Sequence, residues 1–241
     1  MSRIFDLDGP VLGTLNKIAD LLWLNILTII CCLPVFTIGA SLSAAHYVCL
    51  KLYRGEEGYV TKDFFKAFKM NFAQGSALGV LCLVLAAVFI TDFVVTNKNF
   101  AYYIELPQIF HILIMAAFIL YLFFLAWVFP VQAKFINTIP KTIKNAFALS
   151  MVKFPQTIAM IVVYACPWVA LWLTDFYLVP VVFMFGLSVP IFCSAALYSK
   201  FFQKLEDNIR AKQEQNESTE GELEEGPETE EPAENSPEEE E

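Results

Sequence analysis

The sequence predicts an all-α protein, a polytopic bundle of transmembrane helices. Of its 241 residues, 57% are hydrophobic and only 17% are charged, whereas an ordinary soluble domain is roughly 45–50% apolar. Five apolar stretches follow one another, each close to the roughly 20 residues that a helix needs to cross a bilayer core. Lysine and arginine are concentrated in alternate connections between these stretches, as cytoplasmic loops are expected to show. These three observations define the fold class.

Polar or helix-bending residues bound the predicted spans. Asp20, Asp92 and Asp175 lie at span ends, where water or lipid headgroups can reach a charged group. Pro130 follows the end of the third span. The five predicted spans cover residues 21–38, 76–95, 106–129, 157–173 and 179–198.

Residues 39–53 offer a sixth span, but we expect them not to cross. The segment contains about a dozen apolar-compatible residues, with Ser41, Ser43 and His46 among them, and is too short for a bilayer core. A sixth span would put the N-terminus inside, and we expect it also to export the next basic loop or to require a re-entrant path. The preferred topology therefore has five spans, with the N-terminus outside.

The basic residues set this orientation. They follow spans one, three and five, at Lys51, Arg54, Lys62, Lys66 and Lys69, at Lys134, Lys141, Lys144 and Lys153, and at Lys200, Lys204, Arg210 and Lys212. The other two links contain only Lys98. We therefore expect a multi-pass membrane protein, with its basic connections and its C-terminal tail in the cytoplasm.

The formal net charge of −9 comes from the end of the chain. Residues 214–241 contain fourteen glutamates and no Lys or Arg, so residues 1–213 hold all 16 basic residues and the other 11 acids (25 less 14), a net +5. Leu223 is the one large hydrophobic residue of the tail. We expect a membrane domain over residues 1–213 and a disordered acidic tail over residues 214–241, because such a segment cannot bury apolar area.

Two cytoplasmic connections, between spans one and two and between spans three and four, are predicted to be amphipathic helices. Steps of about 100° per residue place one apolar stripe along Val60, Phe64, Phe65, Phe68 and Phe72, and another along Phe135, Ile136, Ile139, Ile143 and Phe147. Pro140 suits the first turn of the second helix. The lysines opposite these stripes are the candidate contacts to anionic lipid or to a cytoplasmic partner: Lys62, Lys66, Lys69, Lys134, Lys141 and Lys144.

The two halves of the chain resemble each other. Pro34 and Pro130 mark the ends of spans one and three, and each is followed by a basic stretch and then by Gln74 or Gln156. The next span ends in Thr-Asp-Phe in both halves. A duplication is one explanation and chance identity is the other. With the preferred topology, the halves would form a parallel repeat, with the same orientation.

The sequence contains few residues whose type and spacing indicate catalysis or ligand binding. No nucleophile has a base placed to activate it, and no Cys/His cluster has metal-binding spacing, so we expect a non-enzymatic protein without a cofactor or metal. Because the basic residues lie between apolar runs, nucleic-acid binding is not expected either. The helix breaks at Pro167, Gly186 and Pro190 indicate either a transport path or kinks that neighbouring helices absorb.

Two further features predict helix packing. Gly75 and Gly79 form a G-x-x-x-G pair, which is typical of closely packed membrane helices. Asn25 lies within the first span, where we expect it to form an interhelical hydrogen bond.

Several motifs resemble the YesL family of uncharacterised bacterial integral membrane proteins. They are Leu33-Pro34-Val35 with Thr37-Ile38-Gly39, the charged turn from Tyr53 to Tyr59, and the stretch from Asp63 to Phe72. The resemblance covers roughly residues 9–205 and is most specific in the first third. Genes of such proteins often lie beside those of carbohydrate-uptake ABC transporters and glycan-degrading enzymes, and the family has no established catalytic or ligand residues.

We expect an accessory protein that acts by protein contact through its spans and its two basic amphipathic connections, and the resemblance links this role to carbohydrate uptake. Its partners would be the lipid bilayer and either ABC-transporter subunits or a second copy of the chain. A small transporter or channel in its own right is the alternative.

Overall fold

A computed structural model describes residues 10–96, 108–135 and 137–224, and within these ranges every regular element is a helix. The α-helices are α1 (Pro10–Cys32), α2 (Ile38–Arg54), α3 (Val60–Thr96), α4 (Gln108–Lys134), α5 (Ile139–Val152), α6 (Phe154–Leu173), α7 (Val179–Phe185) and α8 (Ser188–Glu224). A short 3-10 turn, Val35–Thr37, precedes α2. The predicted all-α class is confirmed.

By length and composition, five of the described helices could cross a membrane, or six if the bent pair of α7 and α8 is one span. The protein is therefore a multi-pass membrane protein. The candidates are Gly13–Cys32, Val35–Arg54, Val60–Val94, Ile112–Lys134 and Phe154–Leu173. The bent pair, Val179–Phe185 with Ser188–Gln213, has an angle of 49°. The length argument against residues 39–53 is wrong, because the 3-10 turn and Arg54 extend that segment to 20 residues.

Helix α2 lies in the interior and runs antiparallel to the first half of α3. Gly39, at its start, meets Gly75 and Gly79, and Lys51, near its end, forms an ion pair with Asp63 at 2.8 Å. A Cβ atom on Gly39 would lie 2.7 Å from the Gly79 Cα, so the two backbones are as close as glycine allows. The G-x-x-x-G prediction of close helix packing is confirmed.

The start of α1 lies beside the turn between α2 and α3. Lys17 and Asp20 line the same surface cavity, of about 340 Å³, as Gly55, Glu56 and Glu57. The N-terminal end of α1 and the first basic connection are therefore at one end of the bundle, whereas the preferred topology places them on opposite sides. Our expectation that a sixth span exports the basic loop is also incorrect, because α2 returns the chain to the end where α1 begins.

Helices α3 and α4 form a long antiparallel pair. The Tyr121 hydroxyl donates to the Cys82 carbonyl at 3.0 Å, and further down α4 the Gln132 amide donates to Asn71 at 3.1 Å. With 37 residues and about 1.5 Å per residue, α3 is far longer than a bilayer core of about 30 Å. The predicted amphipathic helix and the second span are therefore one continuous helix.

Helix α6 runs in the same direction as α4. Phe154 meets Phe123, with ring centroids 5.5 Å apart, and three residues later Thr157 accepts a hydrogen bond from the Trp127 indole at 2.8 Å. Helix α5 returns the chain between them, and its break from α6 at Lys153 precedes Pro155, which lacks the N–H that a continuous helix needs.

The directions of these helices contradict a parallel repeat. Helices α1 and α3 run one way, whereas their counterparts α4 and α6 run the other way. If the halves arose by duplication, the repeat is therefore inverted. The turn between α6 and α7 consequently lies toward the end of the bundle where α4 ends, although the preferred topology places these two connections on opposite sides.

The chain divides into two compact units, residues 1–199 and 200–241. Helix α8 continues to Glu224, into the segment predicted to be disordered, because Glu, Gln and Lys are good helix formers. Residues 225–241 lie outside the described residues, so disorder there stays a prediction.

Candidate functional site

A broken helix is held by one asparagine. Between α7 and α8 the chain bends, and the buried Asn25 of α1 satisfies three backbone groups there. Its Nδ2 donates to the Phe183 carbonyl at 2.7 Å, and its Oδ1 accepts from the Leu187 and Ser188 N–H groups, both at 3.1 Å. The predicted interhelical hydrogen bonding of Asn25 is confirmed. An unpaired backbone group in lipid costs roughly several kcal/mol. By pairing with three such groups, the Asn25 side chain stabilises the break in the helix.

A cavity of about 410 Å³ lies beside this break. Helices α2, α4 and α6 supply its other walls. Of the three residues predicted to mark a path, Gly186 and Pro190 line the cavity, whereas Pro167 is not among its lining residues and lies half-buried within α6. The helix break and the cavity therefore form one structural feature.

Polar groups line one part of this cavity. His46 and Tyr164 are among the lining residues, and their rings meet edge to face with centroids 6.3 Å apart. The His46 Nδ1 lies 3.2 Å from the Tyr198 hydroxyl, and the Tyr164 hydroxyl donates to Ser194 at 2.8 Å. Sequence reasoning used His46 only as an argument against a span. His46 lies among small residues in the sequence, and this position could have indicated that the histidine is buried.

A second polar cluster joins α3, α4 and α5. The buried Gln132 donates to Asn71 and to Gln74, at 3.1 and 3.3 Å, and accepts from Thr142 at 3.2 Å. Gln156, the counterpart of Gln74 in the second half, has a buried side-chain oxygen without a hydrogen-bond partner. This network fixes the turn between α4 and α5, and it lines none of the cavities described above.

The first basic set forms an exposed face on α3. Lys62, Lys66 and Lys69 are exposed, and Phe65 and Phe72 beside them are each 41% exposed. The predicted apolar stripe therefore divides in two: Val60 and Phe64 are buried and Phe68 is half-buried, while the other two phenylalanines lie on the lysine side. The buried half of the stripe packs inside the bundle, where α2 and α3 form the most extensive pair of packed helices.

The second basic set lies along α4 and α5. Lys134 is half-buried at the end of α4, and Lys141 and Lys144 are exposed on α5. Lys144 also lines a groove whose walls include Leu81 and Leu85 of α3. The predicted helix start at Pro140 is confirmed, and Ile136 lies outside the described residues. Helix α5 packs against α4 and is not a separate helix lying flat on a surface.

Comparison with known proteins assigns part of the chain to a family. Residues 20–93 match the family described as "Protein of unknown function, DUF624". Over this segment the chain is similar to DUF624 proteins. YesL-like proteins are a known family within DUF624, so the resemblance is confirmed. No curated protein and no solved structure matches the chain.

The segment that matches DUF624 contains the extensively packed pair of α2 and α3. It contains Asn25, the crossing of Gly39 with Gly79, and the three lysines of α3. The α4 and α6 walls of the cavity lie beyond it, as do Gly186 and Pro190. Among the described residues, no group of three His, Cys, Asp or Glu side chains is placed to hold a metal ion.

Proposed function

We propose that this protein is a non-enzymatic accessory protein of the bacterial cytoplasmic membrane that binds a partner protein. The supporting observation is the α3 face, where Lys62, Lys66 and Lys69 lie beside the exposed rings of Phe65 and Phe72. Aromatic residues are enriched at protein interfaces. The buried side of the same helix fixes the backbone that carries these side chains, so docking has only the side chains left to order.

The partner that we propose is the membrane subunit of a carbohydrate-uptake ABC transporter. Its contact surface would be acidic and partly apolar, to complement the lysines and the two phenylalanines. Such complementarity accelerates encounter and gives specificity. A second copy of the chain is the other partner to be tested.

A photocrosslinking amino acid at Phe65 is expected to capture this transporter subunit in native membranes. Charge reversal at Lys62, Lys66 and Lys69 together should lower the yield by about tenfold, because three exposed pairs at roughly 0.5 kcal/mol each give this factor. Mass spectrometry of the crosslinked product measures both effects.

Two controls accompany this experiment. The same photocrosslinker at Val88, an exposed residue further along α3, should capture no transporter subunit, and a Lys→Arg triple variant should retain the yield. The accessory role would be contradicted if the photocrosslinker captured only a second copy of the chain, or if the yield were unchanged after charge reversal.

We further propose that the basic connections between spans and the start of α1 are cytoplasmic, because lysine and arginine accumulate on that side. In a cysteine-free background, cysteines at Gly13 and Glu57 should both react with a membrane-impermeant maleimide only in inside-out vesicles. Labelling of the two cysteines from opposite sides would contradict this arrangement and restore the five-span topology.

A small transporter is the second candidate. The broken helix, the cavity beside it and the opposite directions of the two halves favour it, since these features occur together in secondary transporters. Purified protein in liposomes should then take up a radiolabelled, uncharged apolar solute above the level of protein-free liposomes. Uptake that Asn25→Ala abolishes, while the variant stays folded in the liposomes, would replace the accessory role.

A further inference from the structure

The walls of the cavity beside the helix break come from membrane-spanning segments. Leu42 and His46 belong to α2, and the remaining walls belong to α4, α6 and the bent pair of α7 and α8, all of which are span candidates. Trp168 lines the cavity and is 69% exposed on α6. In a bilayer, this exposed side of α6 faces lipid, so the cavity is accessible from the hydrocarbon region.

The lining of the cavity excludes most ligand classes. It contains no Asp, Glu, Lys or Arg, and a charged group in such a place would be costly because it has no partner. A free sugar is excluded for a similar reason, since most of its hydroxyl groups would lose their hydrogen bonds to water without replacement. An apolar chain fits this lining.

The polar corner of the cavity offers a small number of hydrogen bonds. Because the Nδ1 of His46 is engaged by Tyr198, its other ring nitrogen is the one that remains for a ligand. The Tyr164 hydroxyl donates to Ser194 and keeps acceptor capacity. A ligand with one hydroxyl or amide group would therefore meet a donor or acceptor at this corner.

We propose that this cavity binds an uncharged amphiphile from the bilayer, a single apolar chain that ends in one hydrogen-bonding group. The volume of about 410 Å³ lies within the range of roughly 300–1,000 Å³ that small-molecule sites have. The apolar chain occupies the walls of α4 and α6, and the polar group lies at His46 and Tyr164. This inference rests on the cavity alone and is independent of the accessory role.

Photolabelling of the full chain in liposomes tests the site. The probe is 1-hexadecanol with a diazirine in its chain. It should label residues of α2, α4 and α6 that line the cavity, and excess unlabelled hexadecanol should abolish this labelling. Ala165→Phe, at an exposed position on the cavity wall, should reduce it by about tenfold, because the added ring occupies the space of the chain.

Ala87→Phe is the matched control, since Ala87 is exposed on α3 and is not among the residues that line this cavity. This variant should label like the natural sequence. Labelling that does not saturate, or that Ala165→Phe leaves unchanged, would mean that the probe reports only ordinary lipid contact, and the site would be rejected.

Competition by other head groups tests the polar corner. Hexadecanol should compete about fivefold better than hexadecane, the factor that one hydrogen bond gives, and better than hexadecyl sulfate. His46→Leu should remove the preference for the alcohol over the alkane while labelling of the walls persists. If hexadecyl sulfate competes as well as hexadecanol, the assignment to an uncharged ligand is wrong.

Discussion

Asn25→Ala is expected to destabilise the protein by roughly 2–4 kcal/mol. The change removes three hydrogen bonds at the bend between α7 and α8, those to the Phe183 carbonyl and to the Leu187 and Ser188 N–H groups. Each such bond between membrane segments contributes about 1 kcal/mol, and the unpaired backbone groups add a desolvation cost. The midpoint of unfolding by sodium dodecyl sulfate in mixed micelles measures the loss.

Two other variants test whether the three hydrogen bonds of Asn25, and not merely a polar side chain, stabilise the break. Asn25→Ser keeps a hydroxyl, which its own helix can satisfy but which is too short to bridge the three backbone groups, so it should unfold at a midpoint close to that of the alanine variant. Ser43→Ala removes a hydroxyl that donates within its own helix, to Gly39, and should change the midpoint little. If Asn25→Ala unfolds at the same midpoint as Ser43→Ala, the asparagine does not support the break.

Local patterns predicted the helices well because each pattern depends on neighbouring residues. Hydrophobic length located the apolar segments, and Pro140 located the start of α5. Gly75 and Gly79 indicated a close packing site, although the partner glycine at position 39 was not identifiable. Asn25 indicated a hydrogen bond, but its partners lie about 160 positions further along the chain, which no local pattern reveals.

The predicted position of the N-terminus is wrong because it depended on the interpretation of a single short segment. Residues 39–53 contain Ser41, Ser43 and His46, and these polar groups lowered their apparent suitability for a membrane interior. All three are buried in the structure, where the serine hydroxyls donate to backbone carbonyls and His46 pairs with Tyr198. Because one extra helix reverses the direction of everything before it, this error moved the N-terminus and reversed α1. The predicted direction of α6 is wrong for a separate reason, since α5 returns the chain along α4 before α6 begins.

The candidate cavity was predictable only in part. Helix-breaking residue types pointed to Gly186 and Pro190, which line it, and also to Pro167, which is not among its lining residues. The type of residue predicts a kink, whereas the side on which a kink opens depends on the neighbouring helices. His46 and Tyr164 come from distant segments and meet only in the folded chain.

The same substitution at two glycines is expected to have opposite effects. Gly39→Ala should destabilise the protein by about 2–3 kcal/mol, because the new methyl group meets backbone atoms, and overpacking at such a site costs this much. The nearest atoms belong to Gly75 and to the Cα and N of Gly79, both of the latter at 2.7 Å. Backbone cannot rotate away as a flexible side chain can, so α2 and α3 must separate.

Gly13→Ala is the matched control in α1. A methyl group there meets nothing within 4 Å, and alanine is favoured over glycine in a helix interior by roughly 0.5–1 kcal/mol. This variant should therefore unfold slightly later in sodium dodecyl sulfate, whereas Gly39→Ala unfolds much earlier. Since helix propensity alone predicts the same sign at both positions, equal midpoints for the two variants would disprove the close crossing of α2 and α3.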